Sequence, residues 1–234
     1  MHPVLRKASI TEKKLLNPKV LEVTLRPYDS YTFKPGQFNS IKTGSAFRAY
    51  SVASLVSNNS FKNIISIGHQ GLGSAYFNRS VVGETVEFIG PNGRFYLNER
   101  LKKHVLFLAT GTGLAPFIPM FEQLALLNIV DTSVELYFGV RSTNELFYLD
   151  RLLEFKANNG WFDFEICLSQ EVTGKYSNGR ITDKYSVTDP NDTQVYLCGN
   201  PYMVEENISR IKELGLADED IFYEKFTSAV KKDV

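Results

Sequence analysis

Several short stretches pair small or polar residues with spacing that suits a phosphate-bearing ligand. In FLATGTGLAPF (107–117), an apolar run ends at Thr110-Gly111-Thr112-Gly113, and Pro116 follows. Glycines there let a backbone come close, the Thr112 hydroxyl can donate, and a helix N-terminus beyond favours an anion. Pro116 suits the first turn of that helix, where a missing N–H costs nothing. The stretch lacks the Gly-Lys-Ser/Thr of a P-loop and the G-x-G-x-x-G dinucleotide fingerprint. On its own it reads equally as a tight strand–helix turn. Gly71-Leu72-Gly73-Ser74 has the same character, with amides and a Ser74 hydroxyl at a helix start, or simply a capping serine. In RAYS (48–51), strand alternation puts Arg48 and Tyr50 on one face and Ser51 on the other, unless a local twist redirects the serine. Cys198-Gly199-Asn200-Pro201 closes another apolar run before another helix, and Glu224 and Phe226 lie in a last strand, FYEKF (222–226).

The elements that position these residues divide the chain near residue 98. Before it, short β-rich runs (21–27, 37–43, 50–54, 63–69 and 85–90) alternate with turns such as KPGQ, SNNS and GPNG, with one helix over 74–81. That pattern predicts a small antiparallel barrel in residues 1–98. After it, apolar strands at 104–110, 133–140, 162–170, 194–200 and 220–226 alternate with amphipathic helices at 116–128, 145–158 and 202–214. This predicts an α/β Rossmann-like parallel sheet in residues 99–234. In such sheets ligands bind beyond the C-terminal strand ends, where Gly111–113 and Gly199 fall.

Composition narrows the classes. The 234 residues carry 26 Lys+Arg against 26 Asp+Glu, so the formal net charge is zero, which argues against general nucleic-acid binding. No apolar run approaches the roughly 18 residues of a membrane span, and the start MHPVLRKASITEKK has no signal-like apolar core. A cytoplasmic monomer is the expectation. Two cysteines, Cys167 and Cys198, are too few for an iron–sulfur cluster, which takes about four thiolates; they are expected to be reduced and buried at strand ends. No metal site is expected.

Taken together, the motifs resemble the ferredoxin/flavodoxin–NADP(+) reductase family in its bacterial form. G-T-G-x-A-P-F looks like that family's nicotinamide-dinucleotide loop, and RAYS looks like its R-x-Y-S/T flavin signature. FKPGQF (33–38), the 71–74 segment, GETVEFIGPNGRFYL (83–97), YFGVRSTNELFY (137–148) and VYLCGNPYMV (195–204) follow in the family's order. The resemblance spans about residues 20 to 226. It implies a Greek-key flavin barrel, FAD more than FMN as the cofactor, and electron exchange between NADP(H) and ferredoxin or flavodoxin by hydride transfer at flavin N5. An oxygenase reductase component or a free-flavin reductase is the alternative. It further implies that Arg48 binds the pyrophosphate, Tyr50 stacks on the flavin ring and Ser51 bonds near N5. By the same resemblance Cys198 and Gly199 lie beside the nicotinamide, Glu224 is the near-terminal glutamate, and Phe226 covers the flavin. His69 falls near the adenine side.

On the nucleotide side, LSQEVTGKYSNGRI (168–181) is similar to the family's S-R-E…G-R-I stretch. Ser169, Arg141 and Arg180 match, while Gln170 stands where an arginine is expected. NADP(H) over NAD(H) follows from the two arginines, with Gln170 against it. Lys102, Lys103 and Lys225 are candidate cations for docking a carrier protein. The tail TSAVKKDV extends beyond the aromatic residue that ends the plant pattern.

Overall fold

The computed structural model describes residues 4–127, 129 and 131–226. Two six-stranded sheets organise it. The first is antiparallel and barrel-like, built from β1 (Leu5–Asn17), β2 (Val20–Pro27), β3 (Phe38–Thr43), β4 (Ala46–Ser51), β5 (Phe61–Ser66) and, after helix α1 (Leu72–Arg79), β6 (Thr85–Asn92). Its strand order is β4-β3-β6-β1-β2-β5. The two end strands are drawn together by a bridge between Val52 and Asn63, and by the Asn63 side-chain amide, which donates to the carbonyls of Tyr50 and Ser51 at 3.2 and 2.9 Å.

Strand β1, thirteen residues long, was not among the expected elements. Only Ala8 and Ile10 of its side chains are fully buried, and its register against β2 shifts at Ile10/Glu12 and again at Leu15/Asn17. Each bulge breaks the two-residue period by which a strand is read. Strand β4 begins earlier than expected, at Ala46, and β5 ends at Ser66, so His69 lies in the turn beyond it.

The second sheet is parallel, in the order β10-β9-β8-β7-β11-β12. It comprises β7 (His104–Thr110), β8 (Ser133–Val140), β9 (Phe162–Leu168), β10 (Ser177–Asn178), β11 (Thr193–Gly199) and β12 (Ile221–Lys225), with helices α2 (Phe117–Leu126), α3 (Leu149–Asn158) and α4 (Pro201–Glu213). The central strands β7 and β11 are almost wholly buried, as their apolar cores VLFLA and VYLC require, and Thr193 and Gln194 of β11 are buried with them. Pro116 caps α2 instead of opening it, because residues 111–114 first make a tighter 3-10 turn. Helix α3 starts four residues later than expected: a 3-10 turn at Thr143–Glu145 intervenes, and Tyr148 takes a left-handed backbone, φ 59°. At α4, the Asn200 side chain accepts from the Tyr202 amide at 2.9 Å and Pro201 fills the first turn.

Three apolar clusters hold the molecule. One fills the barrel around Ile10, Phe61, Phe77 and Phe88; one backs the outer face of the parallel sheet around Leu106, Val195 and Val204. The largest joins Phe107, Phe117 and Phe121 to Val20, Ala53, Ile64 and Phe95 from the barrel side. The barrel therefore packs on the parallel sheet through shared core, and the parallel sheet's C-terminal strand ends open beside strand β4. The connecting segment is fastened too: the Asn98 amide donates to Tyr196 Oη at 2.9 Å, Lys102 pairs with Asp220 at 2.6 Å and Lys103 with Asp192 at 2.9 Å.

Candidate functional site

A cleft of about 2500 Å³ runs between the barrel and the C-terminal strand ends of the parallel sheet. Its barrel wall is residues 48–51 of β4 and 68–75 around the start of α1. Arg48 and Tyr50 are half-buried on one face of β4, and Ser51, next along, is buried. The Tyr50 ring meets Phe77 of α1 edge to face at 5.3 Å. Burial lifts its hydroxyl to about 12 against the opposing pull of Arg48, so Tyr50 is neutral at working pH. At the hydroxyl end of that ring, Gly73 leaves room for the phenol where it sits: a Cβ there would come within 2.0 Å of Tyr50 Oη.

Helix α1 starts at Leu72, with Gly71 as its cap. The first helical N–H bond is from Ala75 to the Gly71 carbonyl, so the amides of residues 72–74 lie in the turn that has no helical partner. The Ser74 hydroxyl is a correction to the sequence reading. It is buried and donates to the Ile67 carbonyl at 2.8 Å, tying α1 to the end of β5, so only its amide is left for a ligand. An arginine, a flat half-buried phenol and free helix-start amides on one wall form a donor set that fits a flavin nucleotide.

The opposite wall is a set of interlocked turns. Thr110, Gly111 and Thr112 line the cleft after β7, and Gly199, Asn200 and Tyr202 line it after β11. Thr110 Oγ1 accepts from the Asn200 amide at 3.1 Å, and the Phe226 amide donates to the Gly199 carbonyl at 2.9 Å. Gly199 has φ +138°, and a Cβ on it would strike Thr110 Oγ1 at 2.4 Å. Gly113 does not face the cleft. It packs against β11, where a Cβ would lie 2.2 Å from the Cys198 carbonyl oxygen. Pro116 is likewise off the cleft wall. These two act on any ligand only by fixing the turn.

Cys198 is fully buried behind Gly199, outside the cleft wall, and burial with the nearby Glu224 carboxylate pushes its thiol well above the ordinary value. It is no thiolate, in keeping with a positioning role and not a nucleophilic one. Cys167 lines the cleft, but burial raises its thiol to about 12; both cysteines are free. Glu224 is the register partner of Cys198 across β11 and β12. Its Oε2 accepts from Ser51 Oγ at 3.4 Å, a contact that joins the two domains in the cleft. Burial raises the Glu224 carboxyl to about 7, partly offset by that bond. This places a carboxyl that can exchange a proton near neutrality beside the end of β4. Phe226 also lines the cleft and packs on the shared core; the tail TSAVKKDV lies outside the described residues.

At the outer end of the cleft are Arg141 after β8, Ser169 after β9, and Arg180. Gln170 is exposed and off the wall, bonded through its amide to the Arg141 carbonyl at 2.9 Å. Arg141 and Arg180 are both paired, with Glu145 and Glu206. Sequence reasoning missed both carboxylates; the i, i+4 spacing of Arg141 and Glu145 was the available signal. The three candidate docking lysines are ion-paired as well. Lys102 and Lys103 hold the connecting segment, and Lys225 pairs with Glu205 at 2.9 Å. Among the described residues, no group of three or more His, Cys, Asp or Glu could hold a metal, and no helix is long and apolar enough to cross a membrane.

Known proteins match this arrangement across both sheets. The oxidoreductase FAD-binding domain model matches residues 7–96, and the oxidoreductase NAD-binding domain model matches residues 107–207. The toluate 1,2-dioxygenase electron transfer component of Pseudomonas putida is 30% identical over 229 residues, covering 95% of this chain and 68% of that protein. The structure of an Amycolatopsis cytochrome P450 reductase superposes with a TM-score of 0.88 at 28% identity, covering 98% of this chain and 72% of that one. A ferredoxin NADP+ reductase from Neisseria gonorrhoeae, with bound FAD and NADP, superposes with a TM-score of 0.83 at 26% identity, covering 94% of this chain and 98% of that one. The chain spans about two thirds of the length of the curated relatives it matches. With an FAD-binding barrel, an NAD(P)-binding sheet and one cleft shared between them, the chain belongs to the ferredoxin–NADP(+) reductase family of flavin-dependent oxidoreductases.

Proposed function

We propose that the protein takes a hydride from a reduced nicotinamide nucleotide and passes the electrons, one at a time, to a carrier protein of the ferredoxin or flavodoxin kind. The observation that carries this reading is the shared cleft, walled by residues 48–51 and 71–74 on one side and by Thr110–Thr112, Gly199 and Glu224 on the other. Bound FAD supplies the hydride acceptance at N5 and the single-electron release. The chain's residues bind and orient. Arg48 and the amides of residues 72–74 hold the flavin pyrophosphate, Tyr50 and Phe226 flank the ring, and Ser51 donates toward its N5 edge. Thr110, Gly111 and Thr112 seat the nucleotide pyrophosphate. Gly199 admits the nicotinamide, and the buried Cys198 keeps that strand end in place. Glu224, bonded to Ser51, holds or releases a proton at Oε2 near neutral pH.

Residues 1–98 serve as the flavin domain and residues 99–234 as the nucleotide domain of a monomer. Arg141 and Arg180 are the cations a 2′-phosphate would meet, which supports NADPH. Both carry carboxylate partners, so either reduced nucleotide remains a donor in this reading. A second reading, a reductase component of an oxygenase system, is favoured by the toluate dioxygenase and cytochrome P450 relatives. Steady-state rates with ferredoxin, flavodoxin, an oxygenase component and free FMN, each with NADPH and NADH, separate these. Fast reduction of a carrier protein supports the first reading. Fast turnover with free FMN alone, and with no protein acceptor, contradicts both.

A further inference from the structure

Two different chemistries meet at the end of the second parallel strand. In a nucleotide-binding α/β sheet, a carboxylate at that place accepts from the ribose 2′-hydroxyl of NADH, whereas an arginine nearby receives the 2′-phosphate of NADPH. This chain has both, Arg141 directly after β8 and Glu145 four residues on, and each is bonded to the other. Arg141 Nε donates to Glu145 Oε2 at 3.0 Å, Nη2 donates to Oε1, and the Arg141 amide donates to Oε2 at 3.3 Å. From the barrel, Lys19 Nζ donates to Glu145 Oε1 at 2.9 Å, and Asn17 Nδ2 donates to the Glu145 carbonyl at 2.8 Å. Glu145 is thus gripped from both domains. Its side chain is 19% exposed, while those of Arg141 and Lys19 are 55% and 50% exposed. Burial opposes its ionisation, but hydrogen bonds from Arg141 and Lys19 outweigh that and hold the carboxyl at about 2. It is therefore ionised at any working pH. Arg180, the second arginine, faces Glu206 at 3.6 Å.

We infer that Glu145 is a specificity-determining residue, which by claiming Arg141 and Lys19 selects NADH over NADPH. This rests on the reading that the cleft takes a reduced nicotinamide nucleotide. All five ionised groups line the cleft, and three cations against two carboxylates leave one net positive charge. A 2′-phosphate brings about two negative charges to that spot. It must break the Arg141–Glu145 fork, leaving a largely buried carboxylate with Lys19 as its one remaining cation, or else settle for the outer guanidinium donors beside a fixed negative charge. A ribose hydroxyl meets neither obstacle, since it can donate to a Glu145 oxygen.

Calorimetry with 5′-AMP and adenosine 2′,5′-bisphosphate on the flavin-loaded protein tests this directly. The native protein is expected to bind the bisphosphate no more than about threefold tighter than AMP. In Glu145→Gln the bisphosphate-to-AMP ratio should rise at least about tenfold, the equivalent of ~1.4 kcal/mol, and the NADPH-to-NADH ratio of kcat/KM should move the same way. Glu206→Gln, on a looser and more exposed pair, should shift the ratio in the same direction by less. A native protein that binds the bisphosphate about a hundredfold tighter than AMP overturns the inference, and so does a flavin-loaded Glu145→Gln with an unmoved ratio. If Glu145→Gln does not fold, the native ratio decides. If the probes behave as expected but neither nucleotide reduces the flavin, the hydride reading fails and the assignment of Glu145 stands.

Discussion

Glu224 and Ser51 are 173 positions apart in the chain and share a 3.4 Å hydrogen bond in the cleft. Because burial raises the Glu224 carboxyl to about 7, the folded protein holds that proton more tightly than the unfolded chain, whose carboxyl is near 4.5. The sign follows: this group's contribution is fully present below about 4.5 and is lost as pH rises through about 7. Glu224→Gln should therefore raise stability at pH 8 relative to pH 5, by on the order of 2 kcal/mol; thermal melts at the two pH values check it, and an equal effect at both contradicts it. The two thiols give a second expectation. With Cys167 and Cys198 buried and their thiols raised, iodoacetamide should leave the native protein unmodified at pH 8 and label both after unfolding, as intact mass would report. At this scale the sequence told part of the story. Arg48, Tyr50 and Gly199 announce themselves by local motif, whereas the Ser51–Glu224 contact and the Lys19–Glu145 pair depend on tertiary folding that no local spacing encodes.

Two turns carry the geometry of the elements, and each depends on a glycine for a different reason. At Gly73 an added Cβ meets the end of a side chain, Tyr50 Oη, which can move; at Gly113 it meets the Cys198 backbone, which cannot move without unseating β11. Gly73→Ala should therefore fold but bind flavin weakly, read as lost flavin absorbance after gel filtration. Gly113→Ala should lose about 2 kcal/mol or more of stability, as overpacking against fixed backbone does, read by denaturant unfolding. Five of the six parallel strands and the helices of the second half were legible, since β7 and β11 carry the apolar cores VLFLA and VYLC and Pro116 and Pro201 mark helix starts; β10, two polar residues long, was not. Strand β1 was not, because its bulges break the alternation, and the start of α3 was not, because Tyr148 turns left-handed to reach the barrel.

That turn of Tyr148 matters for the whole molecule. Its hydroxyl donates to Glu22 of β2, a carboxylate 3% exposed, which also accepts from Lys62 Nζ at 2.8 Å. Alongside, Arg151 pairs with Glu122, whose Oε2 accepts from the Leu55 amide at 2.8 Å. Polar links thus reinforce the apolar seam of Val20, Ala53, Ile64 and Phe95, and the two sheets should unfold together. Lys62→Met leaves the Glu22 charge without its cation and should cost about 3 kcal/mol in a single transition seen by both flavin fluorescence and circular dichroism; two separated transitions would contradict a shared core. The purpose of that rigidity, on this account, is to keep the Ser51 end of β4 facing Gly199 across the cleft. The most direct test of that claim is anaerobic rapid mixing of the flavin-loaded protein with NADH and with NADPH, following the flavin's visible absorbance. Bleaching by at least one nucleotide is expected, with recovery of the colour when a one-electron acceptor is added. A bound flavin that dithionite bleaches but neither nucleotide does would contradict it.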